Sequence, residues 1–184
     1  MNRRPLALAL LLLTGACLSP APAPALRWFA PAMPPIAPAG LAAPVPLARI
    51  LVSAEAQLGD RMLLRTSDVE FFHDDLARWI AMPAAFAEQA LHDVLFGGGY
   101  CRDSAEGAEL RVVLREFEGN VSERNAAVVA FDVAIVGPGG VRRTTLRRSI
   151  AIEGGDAASL ARGLGAALAA TAVATGEWLD ESAR

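Results

Sequence analysis

The chain has 184 residues, of which 53% are hydrophobic and 20% charged, so one folded domain with tails fits and wholesale disorder does not. Its formal charge is −3, and removal of the first sixteen residues leaves 20 acidic residues against 15 basic ones, a charge of −5. A mildly acidic domain with scattered arginines is poorly suited to polyphosphate ligands, which argues against nucleic acid as a partner.

The N-terminal segment is predicted to be a secretion signal that ends before Cys17. Arg3 and Arg4 precede an apolar run of eight residues, 6–13. A membrane-spanning helix needs roughly 20 residues, so this run is too short to span a bilayer but suits the central region of a signal peptide. The following Thr14-Gly-Ala-Cys17 resembles the lipobox of bacterial lipoproteins, whose cysteine is acylated before cleavage. The alternative is an ordinary signal peptide that leaves an unmodified thiol.

The lipobox resemblance has consequences for location. It implies that residues 1–16 are removed and that Cys17 becomes the acylated first residue of the mature protein. Two or more acyl chains anchor a protein stably, whereas one chain binds only reversibly. Leu18 and Ser19 stand where many such lipoproteins carry the Asp that retains them in the inner membrane. The expected location is therefore the periplasmic face of the outer membrane.

Residues 17–46 are predicted to be a tether. Nine of the twelve prolines lie between Leu18 and Pro46, mixed with alanines. Proline lacks an amide donor and favours extended polyproline II backbone, at about 3.1 Å per residue. One aromatic interruption, Leu26-Arg-Trp-Phe29, is expected to dock on the domain as a short strand.

Residues 47–182 form the predicted domain. Apolar residues at helical spacing predict one helix over Pro83–Phe96, stopped by three glycines, and a second helix that begins at Asp156 as its N-cap. The fold class expected is α+β, with a single mostly antiparallel sheet of about five strands and both helices packed on one face. The strands are predicted over 49–53 and 61–65, paired around a Gly59-Asp60 turn, and over 109–117, 126–136 and 144–152.

The residues that could carry catalysis do not form a recognisable motif. The two histidines, His73 and His92, each precede an Asp, but the chain has no HExxH or CxxC spacing and no GxSxG serine. Solvated polar residues are the simpler interpretation, so no catalytic, cofactor-binding or metal site is predicted. Cys101 is left over once Cys17 is acylated, and it is either buried, part of an intermolecular disulfide, or reactive.

Several short motifs together resemble the ABC-type transport auxiliary lipoproteins, the PqiC-like lipoproteins associated with MCE lipid-transport systems. The resemblance spans nearly the whole mature chain. One departure is Glu70-Phe-Phe-His73, where the family commonly has a tyrosine-rich segment, and this change is expected to alter a partner contact. The matching motifs, in chain order, are the lipobox at Cys17, Leu26-Arg-Trp-Phe29, Arg61-Met-Leu-Leu-Arg65, Arg78-Trp79, Leu110–Phe117 and Glu177-Trp-Leu179.

This resemblance implies a non-enzymatic accessory subunit that is held on the membrane through Cys17 and works with an MCE-domain protein. It brings no catalytic residues and no cofactor. Arg78 and Trp79 are the candidate partner interface, because Arg and Trp are enriched at binding hot spots. Trp79 could equally pack in the core. Two alternative functions are another envelope-assembly lipoprotein, assisting lipopolysaccharide insertion or cell-wall synthesis, and a periplasmic hydrolase.

Overall fold

The computed structural model describes residues 23–39, 44–121 and 125–183. Within these ranges the chain forms eight strands, two α-helices and one π-helical turn at 93–97. In chain order the strands and α-helices are β1 (Arg27–Phe29), β2 (Val45–Ala54), β3 (Arg61–Arg65), β4 (Phe71–Trp79), α1 (Pro83–His92), β5 (Cys101–Asp103), β6 (Ala108–Asn120), β7 (Ala126–Gly137), β8 (Gly140–Ala151) and α2 (Ala157–Ala183).

Strand β6 is the centre of the sheet. On one side it pairs antiparallel with β7, which in turn pairs antiparallel with β8. Its other side is shared by two strands that both run parallel to it, β2 along the first half and β3 along the last three residues. Strand β5 extends the sheet beyond β2, whereas β4 and then β1 extend it beyond β3. On this side of β6 the described sheet therefore has two edge strands, β5 beyond β2 and β1 beyond β4.

The expectation of a mostly antiparallel sheet of about five strands is wrong. The sheet in the described ranges has eight strands and is mixed, with parallel pairings at β1–β4, β2–β5, β2–β6 and β3–β6. The predicted hairpin around Gly59-Asp60 does not form, because β2 and β3 follow one another along the same side of β6. The sequence also gives no prediction of β4 or β5. The α+β class and the number of helices agree with the prediction.

Both helices cover the same face of the sheet. Trp79 packs edge-on against Phe86 of α1 and Phe117 of β6. Two residues further along β6, a Cβ added to Gly119 would lie 3.0 Å from Leu160 of α2. Residues two apart on a strand project from one face. We call this the helix face and the opposite side the open face.

Helix α2 begins and packs as its sequence predicts. Asp156 Oδ1 accepts a 2.6 Å hydrogen bond from the Ser159 amide, and this bond lowers the pKa of Asp156 below its ordinary value. At Gly163 a Cβ would lie 2.9 Å from the Cβ of Ala127 on β7, so glycine permits the close approach of helix and sheet. The helix has the length and composition of a membrane span, but 67% of its most apolar window is buried, as in a core helix.

The segment after β1, residues 30–39, runs along the helices and is called the strap below. The Ala32 amide lies 3.4 Å from the carbonyl oxygen of Ala161 in α2, and the Ala39 amide donates a 2.7 Å hydrogen bond to the Gly98 carbonyl. Met33 and Ile36 pack on the core as partly buried residues. A large part of the predicted tether thus belongs to the folded domain, although it contains four prolines.

Candidate docking surfaces at the two ends of β4

Trp79 lies in the core and has no surface to offer a partner. Its side chain is 1% exposed. Its ring centroid is 5.2 Å from that of Phe117 and 6.0 Å from that of Phe86, both in edge-to-face geometry. Such aromatic pairs contribute about 0.5–1.5 kcal/mol beyond their buried area. The structure therefore places the tryptophan of the Arg78-Trp79 pair where it joins β4, β6 and α1.

Arg78 stabilises a bulge in β4. Its Nη1 donates a 2.9 Å hydrogen bond to the Asp74 carbonyl oxygen, and its Nε lies 3.9 Å from Asp60 Oδ2. The carboxylate of Asp74 accepts hydrogen bonds from the amides of Leu76 and Ala77. These bonds satisfy backbone groups that the bulge removes from the ladder, and the Arg78 side chain is only 12% exposed. The position of Arg78 is explained by local structure.

The remaining candidates from the sequence lie apart from one another. Cys17 falls outside the described residues. His73 Nε2 is 3.3 Å from the Gln57 carbonyl oxygen, and the His92 ring lies against Phe96 at 5.0 Å. Among the described residues no group of three or more His, Cys, Asp or Glu side chains could hold a metal ion. Cys101 is buried, and desolvation raises the pKa of its thiol to about 12, so the reactive thiolate is suppressed.

An exposed apolar cluster lies at the end of the β3–β4 hairpin. We call it the hairpin tip and define it as Val69, Phe71 and Phe72. Val69 is 91% exposed, and about half of each phenylalanine is accessible. Phe71 pairs with Arg65 and Phe72 with Leu64, so the two rings project from opposite faces of the hairpin. Scattered apolar residues are normal on a surface, but three exposed ones within four positions of a hairpin turn favour a binding role.

The turn that carries the hairpin tip is held by its own hydrogen bonds. The Glu70 carbonyl accepts from the Thr66 amide at 3.0 Å, and the Thr66 hydroxyl donates to the Glu70 carboxylate at 2.9 Å. The Ser67 hydroxyl accepts from the Glu70 amide at 3.1 Å. A partner that binds a turn fixed in this way has little loop entropy to remove, which favours affinity.

A buried ion pair supports the base of the hairpin. Arg65 forms a two-pronged contact with Glu118 of β6, through Nε and through Nη2 at 3.1 Å, and its Nη1 also donates to the Asp68 carbonyl at 3.3 Å. The Glu118 side chain is 3% exposed. The hydrogen bond to Glu118 raises the pKa of Arg65 above its ordinary value. The guanidinium also lies 5.9 Å from the Phe71 ring centroid, so one side chain links β6, the turn and the hairpin tip.

Replacing Arg65 by methionine is expected to lower the free energy of unfolding by about 2–3 kcal/mol. Removing one partner of a fully buried pair costs about 3–5 kcal/mol, and the partial exposure of Arg65 reduces that figure. Urea titration of the purified domain measures the change. Arg147→Met is the matched control, because its partner Glu116 is more exposed and surface pairs contribute at most about 1 kcal/mol. Equal losses in the two variants would contradict the special role of Arg65.

A second exposed apolar cluster lies at the other end of β4, where β1 forms the sheet edge. We call it the edge patch and define it as Leu26, Trp28 and Ile80, each more than half exposed. Trp28 is the register partner of Arg78, and the Ile80 amide donates to the Phe29 carbonyl at 2.9 Å. Alternation along both chains places these side chains on the open face. The register of β3 against β4, with Arg61 opposite Arg78 and Arg65 opposite Phe71, places about 13 Å of strand between the edge patch and the hairpin tip, at roughly 3.3 Å per residue.

Along β2, β6, β7 and β8 the open face is charged and largely self-compensated. Glu109 contacts both Arg49 and Arg111, and the hydrogen bond from Arg111 holds its pKa below the ordinary value. Arg115 Nε lies 3.5 Å from Asp132. A groove of about 570 Å³ crosses this face, and charged and polar side chains share its lining with Val113, Val133 and Ala134. Paired surface charges contribute little binding energy, so the apolar ends of β4 are the stronger docking candidates.

Comparison with solved structures shows that the fold recurs. A Xanthomonas campestris protein described as a member of family DUF330 superposes with a TM-score of 0.69 at 17% identity, covering 85% of this chain and 99% of that chain. An uncharacterized protein superposes with a TM-score of 0.67 at 13% identity and the same coverage. These identities establish a shared fold alone. No family model matches the chain, and no curated protein is a significant match.

The one sign of the hairpin tip in the sequence was Glu70–His73, which departs from the tyrosine-rich segment of the resembled family. Its two phenylalanines are adjacent and do not alternate with polar residues. That segment was not predicted as strand, so its two phenylalanines could not be placed on opposite faces. The edge patch was partly predicted, since the Leu26–Phe29 segment was expected to dock as a strand. Its partner Ile80 gave no signal, because only the pairing of β1 with β4 brings it beside Trp28.

Proposed function

We propose that this protein is a lipid-anchored, non-enzymatic accessory subunit of an MCE/ABC-type intermembrane lipid-transport system on the periplasmic side of the outer membrane. The observation that carries the proposal is the fold shared with a DUF330 protein over 85% of the chain, together with the lipobox-like Thr14-Gly-Ala-Cys17 at the end of a signal-type segment. That fold is compatible with a PqiC-like lipoprotein. The family motifs in the sequence supply the link to MCE transport.

The first step of the proposed function is attachment to the membrane. Acylation of Cys17 with two or three chains anchors the domain permanently, since each buried CH₂ group contributes about 0.8 kcal/mol. The acidic charge of the mature chain gives no general electrostatic attraction to anionic lipid. Anchoring then depends on the acyl chains. Mass spectrometry of the mature N-terminal peptide tests this step directly, and an unacylated Cys17 in a soluble protein would contradict it.

The second step is contact with the MCE-domain protein, and we assign it to the hairpin tip. Phe71 supplies the aromatic area that interface cores favour, and the hydrogen-bonded turn presents Val69 without further ordering. Phe72 offers a second exposed ring on the opposite face of the hairpin. The site differs from the Arg78-Trp79 interface expected from the sequence, because Trp79 is buried. A small rigid surface of this kind suits an adaptor that positions a transport partner and performs no chemistry of its own.

Site-specific photo-crosslinking in cells tests the partner. A benzoylphenylalanine at Phe71 is expected to crosslink an MCE-domain protein, whereas the same probe at Val141 on edge strand β8 is the matched control. Both positions are exposed and apolar, so they differ in place and not in reactivity. Crosslinks from Phe71 to an outer-membrane β-barrel or to a cell-wall synthase would overturn the proposal in favour of another envelope-assembly role.

A further inference from the structure

We propose that the edge patch is a membrane-contact surface. It lies against the phospholipid headgroups of the same bilayer that holds the acylated Cys17. This inference rests on the proposed lipid anchor and adds an orientation to it. Trp28 is 58% exposed and Ile80 62% exposed, and together with Leu26 they form an apolar surface at the sheet edge where β1 pairs with β4. We assign lipid as the partner of this patch, rather than another protein or a second copy of the chain.

The length of chain between the anchor and the patch supports this assignment. Strand β1 is fixed to β4 from Arg27 onward, so nine residues, 18–26, separate it from Cys17. Such a segment reaches at most about 30–32 Å when fully extended. The strap adds no further length, because it follows β1 and is packed along the helices. Among the apolar clusters described above, the edge patch is the one nearest in sequence to the anchor.

The close packing at Gly165 keeps β1 in place. A Cβ added there would lie 2.2 Å from the Ala32 carbonyl oxygen, so the strap backbone lies directly on α2. Phe29 adds a side chain that packs on the core. The folded domain therefore starts at Arg27, three residues before the strap begins. The length of residues 18–26 alone then limits the distance from the bilayer to Trp28.

The chemistry of the patch also fits a lipid interface. Tryptophan is enriched where membranes meet water, because its ring is apolar and its indole N–H remains hydrated. Two carboxylates of the β3–β4 region are paired, since Asp60 lies 3.9 Å from Arg78 Nε and Asp75 lies 3.6 Å from Arg61 Nη1. Repulsion between those carboxylates and anionic headgroups is thereby reduced. In this orientation β4 leads from the bilayer toward the hairpin tip, which is left free for a protein partner.

The test uses the acylated full-length protein in vesicles of phosphatidylethanolamine and phosphatidylglycerol, with and without brominated acyl chains. The signal of Trp28 is the fluorescence difference between the wild-type protein and the Trp28→Phe variant, an exposed replacement that leaves the core intact. Brominated lipid is expected to remove about half of that difference signal, since quenching needs the indole at the interface. A difference signal equal in both vesicle types would overturn the inference.

A probe at the other end of β4 is the matched control. In the Trp28→Phe background, Phe71→Trp places an indole at the hairpin tip, and brominated lipid is expected to leave its emission unchanged. Flotation of the same samples separates this inference from the proposed function. Protein that floats with vesicles while Trp28 escapes quenching refutes only the membrane contact, whereas protein that does not float refutes the anchor itself. Shielding of Trp28 from acrylamide without lipid quenching would indicate that a second copy of the chain covers the patch, and this result would also refute the membrane contact.

Discussion

The Trp79→Ala variant is expected to lose about 3–5 kcal/mol of unfolding free energy, a large share of what a domain of this size possesses. The ring is fully buried and lies edge-on against Phe86 and Phe117. Its removal leaves a cavity between α1 and the sheet that the neighbouring rings cannot fill. The midpoint of urea unfolding, followed by circular dichroism, measures the loss.

The control for this prediction is the same substitution at Trp28, which is 58% exposed. Trp28→Ala is expected to change the free energy of unfolding by less than about 0.5 kcal/mol, as surface substitutions usually do. The two variants delete the same side chain from adjacent strands of one sheet. A similar loss at both positions would show that Trp79 is not the core residue described above and would reopen its candidacy as an interface residue.

Local patterns made one part of the fold predictable. Strands β6, β7 and β8 follow one another in the sequence, and β6 alternates apolar and polar residues, so their antiparallel order is visible in the sequence. Leu110, Val112 and Leu114 project to the helix face as expected. The N-cap at Asp156 was likewise predicted from a single residue with a defined local role. The three glycines end the π-helical turn at 93–97 that continues from α1, whereas the α-helix predicted to Phe96 ends at His92. Here each signal comes from neighbours in the chain.

The rest of the sheet depends on pairings between distant segments. Strand β4 lost its alternation at the bulge around Asp74, where Arg78 and two amides form side-chain and backbone bonds outside the ladder. Strand β5 has only three residues. The sharing of one side of β6 by β2 and β3 cannot be read from either strand, because it depends on the length of β6. A turn-like Gly59-Asp60 therefore predicted a hairpin where the chain continues in the same direction.

The candidate docking surfaces also combine local features that the sequence predicts with tertiary features that it does not. The aromatic residues at Phe71 and Phe72 were visible as an unusual pair, but their exposure follows from a strand that the pattern did not predict. Trp79 and Arg78 carried the composition of a hot spot, and tertiary packing assigned one to the core and the other to a bulge. Residue type alone does not distinguish a buried anchor from an exposed one. Burial determines whether such a residue can contact a partner, and the pairing of β1, β3 and β4 determines which residues are buried.

Gly165→Ala is expected to displace the strap from α2. The added Cβ would lie 2.2–2.6 Å from three backbone atoms of Ala32, a separation that side chains cannot tolerate, and backbone on both sides leaves no flexible atom to move away. Overpacking of this kind costs about 1–3 kcal/mol, against which the better helix propensity of alanine returns at most about 1 kcal/mol. The expected result is a modest net loss of stability together with exposure of residues 30–39 to proteolysis.

Limited proteolysis and hydrogen exchange of the strap measure that displacement, with Gly97→Ala as the control. A Cβ at Gly97 meets nothing within 4 Å, so the control variant is expected to retain the wild-type protection of the strap. If the Gly165→Ala strap were as protected as in the wild type, its packing on α2 would be refuted. If the strap is released, β1 loses the packed segment that follows it and is held in the sheet by its pairing with β4 alone. Trp28 would then be held less closely to the bilayer, and its quenching by brominated lipid should fall in the same variant.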